Sequence, residues 1–213
     1  YVIAQELYNS GVDGITMGNH TWSKNEILNF IESDNKLARP ANYPEDLPGK
    51  GYAILNGKNG KLAIVNLLGR IYMDNIDCPF KAVDRVLEQV KKEVKAVIVD
   101  FHAEATSEKT AMAWYLDGRV SAVLGTHTHV QTADERILPF GTGYITDVGM
   151  TGPCDGVIGV NKEIIIKKFL TSMPQRFEVA KGRVAFNAVL LDVEEKSGKT
   201  TSIRRITAII ETK

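Results

Sequence analysis

Two stretches decide the fold: AVIVDFHAEA at 96–105 and VSAVLGTHTHV at 120–130. Each begins as a short apolar run, the kind that forms a strand buried on both faces of a sheet, and each run ends in histidine. An amphipathic helical segment, 81–93, precedes the first run, and a second helix, capped by Thr106 or Ser107, lies between the two. This alternation of helices and apolar strands predicts a layered α/β or α+β domain.

The pattern extends from these stretches in both directions. Toward the N-terminus, a helix ends at Gly11, a short strand runs from Val12 to Met17, and Ser23 can cap another helix. Toward the C-terminus, strands become the dominant pattern. The remaining expected elements are a hairpin of 52–55 with 61–68, a short strand at 144–145, a helix at 162–170, and strands at 177–179, 184–193 and 203–210.

The length of 213 residues fits one domain over 1–213, with a small subdomain around 52–95. The chain begins YVIAQELY, which is not an initiator sequence and has the apolar spacing of a helix already in progress. We therefore expect the chain to be N-terminally incomplete, with the first strands of the sheet missing. The strand-rich C-terminal part offers a surface that would allow a homo-oligomer.

Charge and cysteine content narrow the possible function classes. There are 26 Lys and Arg against 26 Asp and Glu, whereas proteins that bind duplex nucleic acid usually carry a basic surplus. The two cysteines, Cys78 and Cys154, are far apart and form no CxxC motif, which argues against a disulfide framework. No apolar run is long enough to span a bilayer. The sequence predicts a cytoplasmic protein with no stable duplex nucleic acid and no membrane as partner.

All four histidines follow predicted strands: His20, His102, His127 and His129. Taken singly, each could be a turn residue or a satisfied core histidine. In layered α/β folds, however, ligands bind beyond the carboxyl ends of the strands, so three histidine clusters should meet at one sheet edge. Imidazole and oxygen ligands suit Fe, Mn or Zn better than Mg or Ca. The sequence therefore predicts a metal site.

Longer motifs point to a known family. The motifs are GNHTW at 18–22, RPANYP at 39–44, DFHAEATSEK at 100–109, GTHTHVQTAD at 125–134 and ITDVGMTGP at 145–153. Together they resemble the calcineurin-like metallophosphoesterases, and most closely the bacterial subgroup of 2′,3′-cyclic-nucleotide 2′-phosphodiesterases. The resemblance covers nearly the whole chain. It implies a β-sandwich flanked by helices and a centre of two metal ions, with iron favoured and manganese or zinc as alternatives.

The resemblance also implies roles for individual residues. Asn19, His102 and His127 would ligate the second metal, and His129 the first. His20 would be the general acid that protonates the leaving oxygen. The family's other ligands, an Asp of a GD motif and a Glu-Asn pair, have no counterpart in this sequence.

Other polar residues near the motifs carry weaker expectations. Asp100 and Glu104 flank His102 and are expected to support the ligands, and Asp147 is expected to be structural. Asn42 would contact substrate or simply hold a turn. Arg39 would pair with a phosphate or with a surface acid.

The sequence thus predicts a metal-dependent phosphodiesterase that hydrolyses small nucleotide phosphodiesters such as 2′,3′-cyclic nucleotides. Two alternatives remain open at this stage. One is a non-catalytic scaffold or regulatory module, suggested by the incomplete ligand set. The other is a relative of the capsule and polyglutamate synthesis proteins, which share a Gly-x-His-x-His-Val segment like that at 125–130.

Overall fold

Helices alternate with strands through most of the chain, and a long hairpin of two strands lies near the C-terminal end of the described residues. The computed structural model describes residues 1–211. The helices are α1 (Val2–Asn9), α2 (Pro79–Val90), α3 (Thr106–Leu116) and α4 (Lys162–Thr171), with a 3-10 turn at Asn25–Asn29. The strands are β1 (Ile15–Thr16), β2 (Leu37–Ala38), β3 (Tyr52–Gly57), β4 (Gly60–Leu68), β5 (Ala96–His102), β6 (Ala122–Thr126), β7 (Arg136–Ile137), β8 (Gly143–Ile145), β9 (Gly152–Pro153), β10 (Val184–Val193) and β11 (Thr200–Ile210).

The two stretches that decide the fold form the middle of a six-stranded mixed sheet in the order β3-β4-β5-β6-β8-β7. Strands β4, β5, β6 and β8 run parallel, and β3 and β7 pair antiparallel at the two edges. In β5 the side chains of Val97, Val99 and Phe101 alternate along one face and are fully buried. Parallel strands end at the same edge, so the residues that follow β5 and β6 meet there.

Helices α2 and α3 cover the central sheet. The periodic side chains of α2, Val83, Leu87 and Val90, are buried in the same apolar cluster as Val97 and Val99 of β5. Burial of one such side chain contributes about 1.5–3 kcal/mol. The prediction of an amphipathic helix before β5 is confirmed, although α2 begins at Pro79, where a missing N–H costs nothing.

Two smaller sheets complete the architecture. Strands β11, β10 and β9 form an antiparallel sheet, and β11 contacts β7 and β8 of the central sheet. Strands β1 and β2 pair in parallel. The range 52–95, predicted as a small subdomain, contains β3, β4 and α2, and β4 pairs with β5 over seven residue positions.

Three local predictions are wrong. Neither Thr106 nor Ser107 caps α3, because the helix begins at Thr106 and Ala105 stands at the N-cap position. Ser23 does not cap an α-helix, because only a 3-10 turn follows it and Lys24 stands at the N-cap of that turn; the Ser23 hydroxyl lies 3.3 Å from Nδ1 of His20.

The range 177–179 is not a strand. Its neighbour is a tight turn in which Val157 and Val160 bond to each other, so no extended segment is there to pair with. The range forms only one β-bridge, between Val160 and Val179.

No helix within residues 1–211 combines the length and the apolar character that crossing a membrane would require.

Candidate metal centre

Two of the three histidine clusters lie at the carboxyl edge of the central sheet, as the sequence predicts, whereas the third follows β1 of the separate two-stranded sheet and reaches the same place from there. Strand β5 ends at His102, whose partner in β6 is Thr126, the residue before His127. Asn19 and His20 follow β1, and the Oδ1 atom of Asn19 lies 3.1 Å from Nε2 of His102. Sequence-distant residues therefore share one site.

Three potential ligand atoms converge there. Nε2 of His102 lies 3.1 Å from Oδ1 of Asn19 and 3.0 Å from Nδ1 of His127. Two ligand atoms that are each about 2.1 Å from one metal ion and at right angles lie about 3.0 Å apart. These separations therefore suit atoms that share a metal ion.

The proton on His102 can be assigned from its neighbours. The hydroxyl of Thr126 donates its one proton to Oδ1 of Asp100 at 2.7 Å, so it accepts from Nδ1–H of His102 at 3.0 Å. Asp100 also accepts from the side-chain amide of Asn66 at 3.3 Å. With its proton on Nδ1, His102 presents a bare lone pair at Nε2, toward Asn19.

The proton on His127 can be assigned in the same way, from its contact with Glu104. The carboxylate of Glu104 lies 3.1 Å from Nε2 of His127, so that nitrogen carries the proton and Nδ1 is bare. The bare nitrogens of His127 and His102 and the carbonyl oxygen of Asn19 therefore face each other with no proton between them. Such mutually facing lone pairs fit a cation, and these three residues fit a metal ion.

Electrostatics keep both imidazoles in the form that a metal requires. Burial, followed by the charges of His127 and Lys109, lowers the pKa of His102 to about 4. Burial also lowers the pKa of His127, against the opposing effect of Glu104. Both side chains are therefore neutral at pH 7, which is the form in which an imidazole binds a metal ion.

The other two histidines lie at the margin of this group. His129 is exposed, and its Nδ1 lies 3.3 Å from the carbonyl oxygen of Ile158. His20 is also exposed, and its charge is close enough to lower the pKa of His102. In the described part of the chain, no three His, Cys, Asp or Glu side chains converge as a ready metal site. The convergent set is two imidazoles and an amide.

Glycine makes the close approach at this edge possible. A Cβ atom on Gly18 would lie 2.8 Å from Nε2 of His102, and one on Gly125 would lie 1.8 Å from the carbonyl oxygen of Thr146. A side chain at Gly18 would displace the candidate ligand His102 itself, and one at Gly125 would displace the backbone of Thr146.

The two residues that the sequence suggests as substrate contacts, Arg39 and Asn42, form hydrogen bonds with the backbone of the protein. Arg39 is 4% exposed and donates to the backbone carbonyl oxygens of Pro40, Pro44, Leu47 and Pro48. These bonds hold Arg39 within its own loop, and within residues 1–211 it forms no ion pair with an acid.

Asn42 is also fully buried. It donates to the carbonyl oxygens of Leu68 and Asp77 and accepts from the amide of Leu68. These bonds join the 39–51 loop to the end of β4.

A buried ion pair lies behind the candidate site. Nζ of Lys109, on α3, lies 2.8 Å from Oδ2 of Asp147, and each side chain is 1% exposed. We expect Lys109→Met to lower the free energy of unfolding by about 3 kcal/mol, because it leaves the Asp147 charge buried without its partner. Urea denaturation at pH 7 measures this loss. The double variant Lys109→Met/Asp147→Leu should recover part of it, and a wild-type midpoint for Lys109→Met would contradict the prediction.

The same pair sets a pH dependence of stability. Burial raises the pKa of Asp147, but hydrogen bonds from Lys109, Thr128 and Gly149 outweigh burial and hold that pKa below its ordinary value. A carboxyl whose pKa is lower in the folded state stabilises the fold above its unfolded pKa, about 3.9, and this contribution disappears as pH falls through the folded pKa. Stability should therefore decline below about pH 4, and less steeply in Lys109→Met.

Two supporting residues were missed by the sequence analysis: Thr126 and Lys109. Thr126 stands between two conspicuous residues, Gly125 and His127, and its role depends on pairing with β5. Lys109 has the sequence signal of an ordinary exposed helical lysine. Asp100 and Glu104 make contacts of the supporting kind that was expected of them.

Sequence comparison finds close relatives. The family model for YmdB-like proteins matches residues 1–206. The 2′,3′-cyclic-nucleotide 2′-phosphodiesterase of Bacillus subtilis strain 168 is 52% identical over 204 residues, which cover 96% of this chain and 77% of that protein.

Structure comparison agrees. A crystal structure of a hypothetical protein from Thermus thermophilus has a TM-score of 0.90 and 45% identity, covering 97% of this chain and 80% of that chain. The crystal structure of a novel phosphatase from Mycoplasma pneumoniae has a TM-score of 0.88 and 38% identity, covering 98% and 75%.

Proposed function

Since the chain belongs to the family of YmdB-like proteins, we propose that it hydrolyses small nucleotide phosphodiesters such as 2′,3′-cyclic nucleotides at a dinuclear metal centre. The chain is a phosphoesterase with the metallophosphoesterase-like fold, and such relatives imply divalent metal use. The substrate class follows from the name of the Bacillus subtilis relative. One observation carries the proposal, which is the convergence of bare lone pairs of Asn19, His102 and His127 at the sheet edge.

In the proposed site, Asn19, His102 and His127 would hold one metal, and His129 would contribute to the other. Iron is the metal that the family resemblance favours, with manganese or zinc as alternatives; imidazole and amide oxygen donors without sulfur are compatible with all three. Metals bound there would supply positive charge to the phosphoryl group and a water nucleophile at neutral pH.

Other residues of the chain would orient the ligands and donate the proton. Thr126 and Glu104 fix the protons of His102 and His127, so both imidazoles stay oriented with bare nitrogens inward. His20, exposed next to Asn19, would donate a proton to the leaving ribose oxygen. Opening the 2′ bond of a 2′,3′-cyclic phosphate in this way leaves a 3′-phosphate.

The proposal is tested with purified protein stripped by a chelator and reloaded with iron, manganese or zinc. Elemental analysis should find two metal ions per chain, and reloaded protein should convert 2′,3′-cyclic AMP to 3′-AMP far faster than it hydrolyses 3′,5′-cyclic AMP. Fully loaded protein that left 2′,3′-cyclic nucleotides intact would overturn the substrate assignment. Failure to bind any of the three metals would overturn the metal centre itself.

A further inference from the structure

The turn that carries two of the candidate ligands has an unusual backbone. His127 has a φ of 101° and His129 a φ of 70°, so both lie in the left-handed region although neither is glycine. Side chains with a Cβ atom rarely adopt this conformation, and it persists only where surrounding contacts impose it. Contacts with the surrounding residues must therefore hold the His127-Thr128-His129 turn in this conformation.

Asp147 makes the contacts that do so. Its Oδ2 atom accepts from the backbone amide of Thr128 at 2.9 Å and from the hydroxyl of Thr128 at 2.6 Å. The same oxygen receives Nζ of Lys109 at 2.8 Å, and Oδ1 accepts from the amide of Gly149 at 2.8 Å. Asp147 thus forms two hydrogen bonds with Thr128, the middle residue of the turn. Its carboxylate is buried, and Lys109 balances its charge.

The backbone that follows Asp147 also bonds to the segment that carries the turn. The amide of Val148 donates to the carbonyl of Gly125 at 2.8 Å, and the amide of Met150 donates to the carbonyl of His129 at 3.0 Å. These bonds bracket the turn at both ends. Asp147 is the charged contact at its centre.

We propose that Asp147 and Thr128 are positioning residues of the metal site. They hold the two histidines in their left-handed conformations, with the Nδ1 atom of His127 directed toward His102. The inference rests on the proposed metal centre and extends it. Neither residue is among the proposed metal ligands; both act through the histidines on either side of Thr128.

Thr128→Val tests this inference because valine has the same shape, keeps the backbone amide bond to Asp147 and loses only the hydroxyl bond. The buried pair of Lys109 and Asp147 stays intact, so the variant is expected to fold. Thr128→Ser restores a hydroxyl and is the rescue variant. Thr110→Val is the matched control: it removes a half-buried hydroxyl on α3 that bonds Thr106 and Tyr144, outside the turn.

The readout is the metal affinity of the stripped protein, measured by competition with a chelator, alongside circular dichroism and thermal unfolding. We expect Thr128→Val to bind metal about tenfold or more weakly, with Thr128→Ser close to wild type and Thr110→Val unchanged. Excess metal should restore its activity. A Thr128→Val protein with wild-type metal affinity would overturn the positioning role, even if its melting temperature fell. Wild-type protein that binds no metal would instead overturn the proposed function.

Discussion

Replacing His102 with alanine is expected to reduce phosphodiesterase activity to background and to cost the protein its metal at this site. His102 is the centre of the convergent group, since its Nε2 atom contacts both Oδ1 of Asn19 and Nδ1 of His127. Mutation of residues that only support metal ligands already costs about 10–100-fold in metal affinity, so loss of a ligand should cost at least about 100-fold. Elemental analysis and hydrolysis of 2′,3′-cyclic AMP measure the two effects.

Asn19 provides the matched comparison for this prediction. Asn19→Ala removes the oxygen near His102, whereas Asn19→Asp keeps an oxygen at the same place. We expect the first variant to lose metal as His102→Ala does and the second to retain it. A His102→Ala protein with full metal content and activity would exclude this edge of the sheet as the metal centre, whatever the behaviour of Asn19.

The location of this site could be predicted from sequence because parallel strands impose it. The apolar runs of β5 and β6 are unambiguous, and the residues that follow them must reach the same edge. Periodicity likewise predicted α2, whose buried side chains recur at helical spacing. These predictions depend only on local pattern and on the general geometry of parallel sheets.

The roles of individual polar residues required the three-dimensional contacts. Arg39 was expected to meet a phosphate or an acid, and it binds four carbonyl oxygens of its own loop instead. Thr126 fixes the His102 proton only because the strand register sets these residues side by side. Lys109 and Asp147 are 38 positions apart, and no local pattern indicates that they pair in the core.

The comparisons separate the function classes that the sequence left open. A non-catalytic module was suggested by ligand motifs absent from this sequence. A Bacillus subtilis relative 52% identical over 96% of this chain is a phosphodiesterase, and a Mycoplasma pneumoniae relative is a phosphatase, which supports a phosphoesterase rather than a scaffold. The family match to YmdB-like proteins over 1–206 also weighs against the capsule and polyglutamate relatives.

Replacing His20 with alanine is expected to slow hydrolysis of 2′,3′-cyclic AMP by about two to four orders of magnitude while leaving the metal content unchanged. His20 is next to the candidate ligand Asn19, yet it is exposed, and its Nδ1 atom lies 3.3 Å from the hydroxyl of Ser23, a long contact. It is therefore free to turn toward a bound phosphate. Single-turnover kinetics at saturating substrate measures the loss.

The leaving group decides whether the lost function is proton donation. A ribose alkoxide needs a proton as it departs, whereas p-nitrophenolate leaves readily without one. A general-acid role for His20 therefore predicts that the defect of His20→Ala becomes much smaller with bis-p-nitrophenyl phosphate as substrate. A purely structural role, or a role in holding metal, would reduce both reactions by the same factor. Equal losses on the two substrates would thus remove His20 from the proton-transfer step and leave its neighbour Asn19 as the functional residue of that loop.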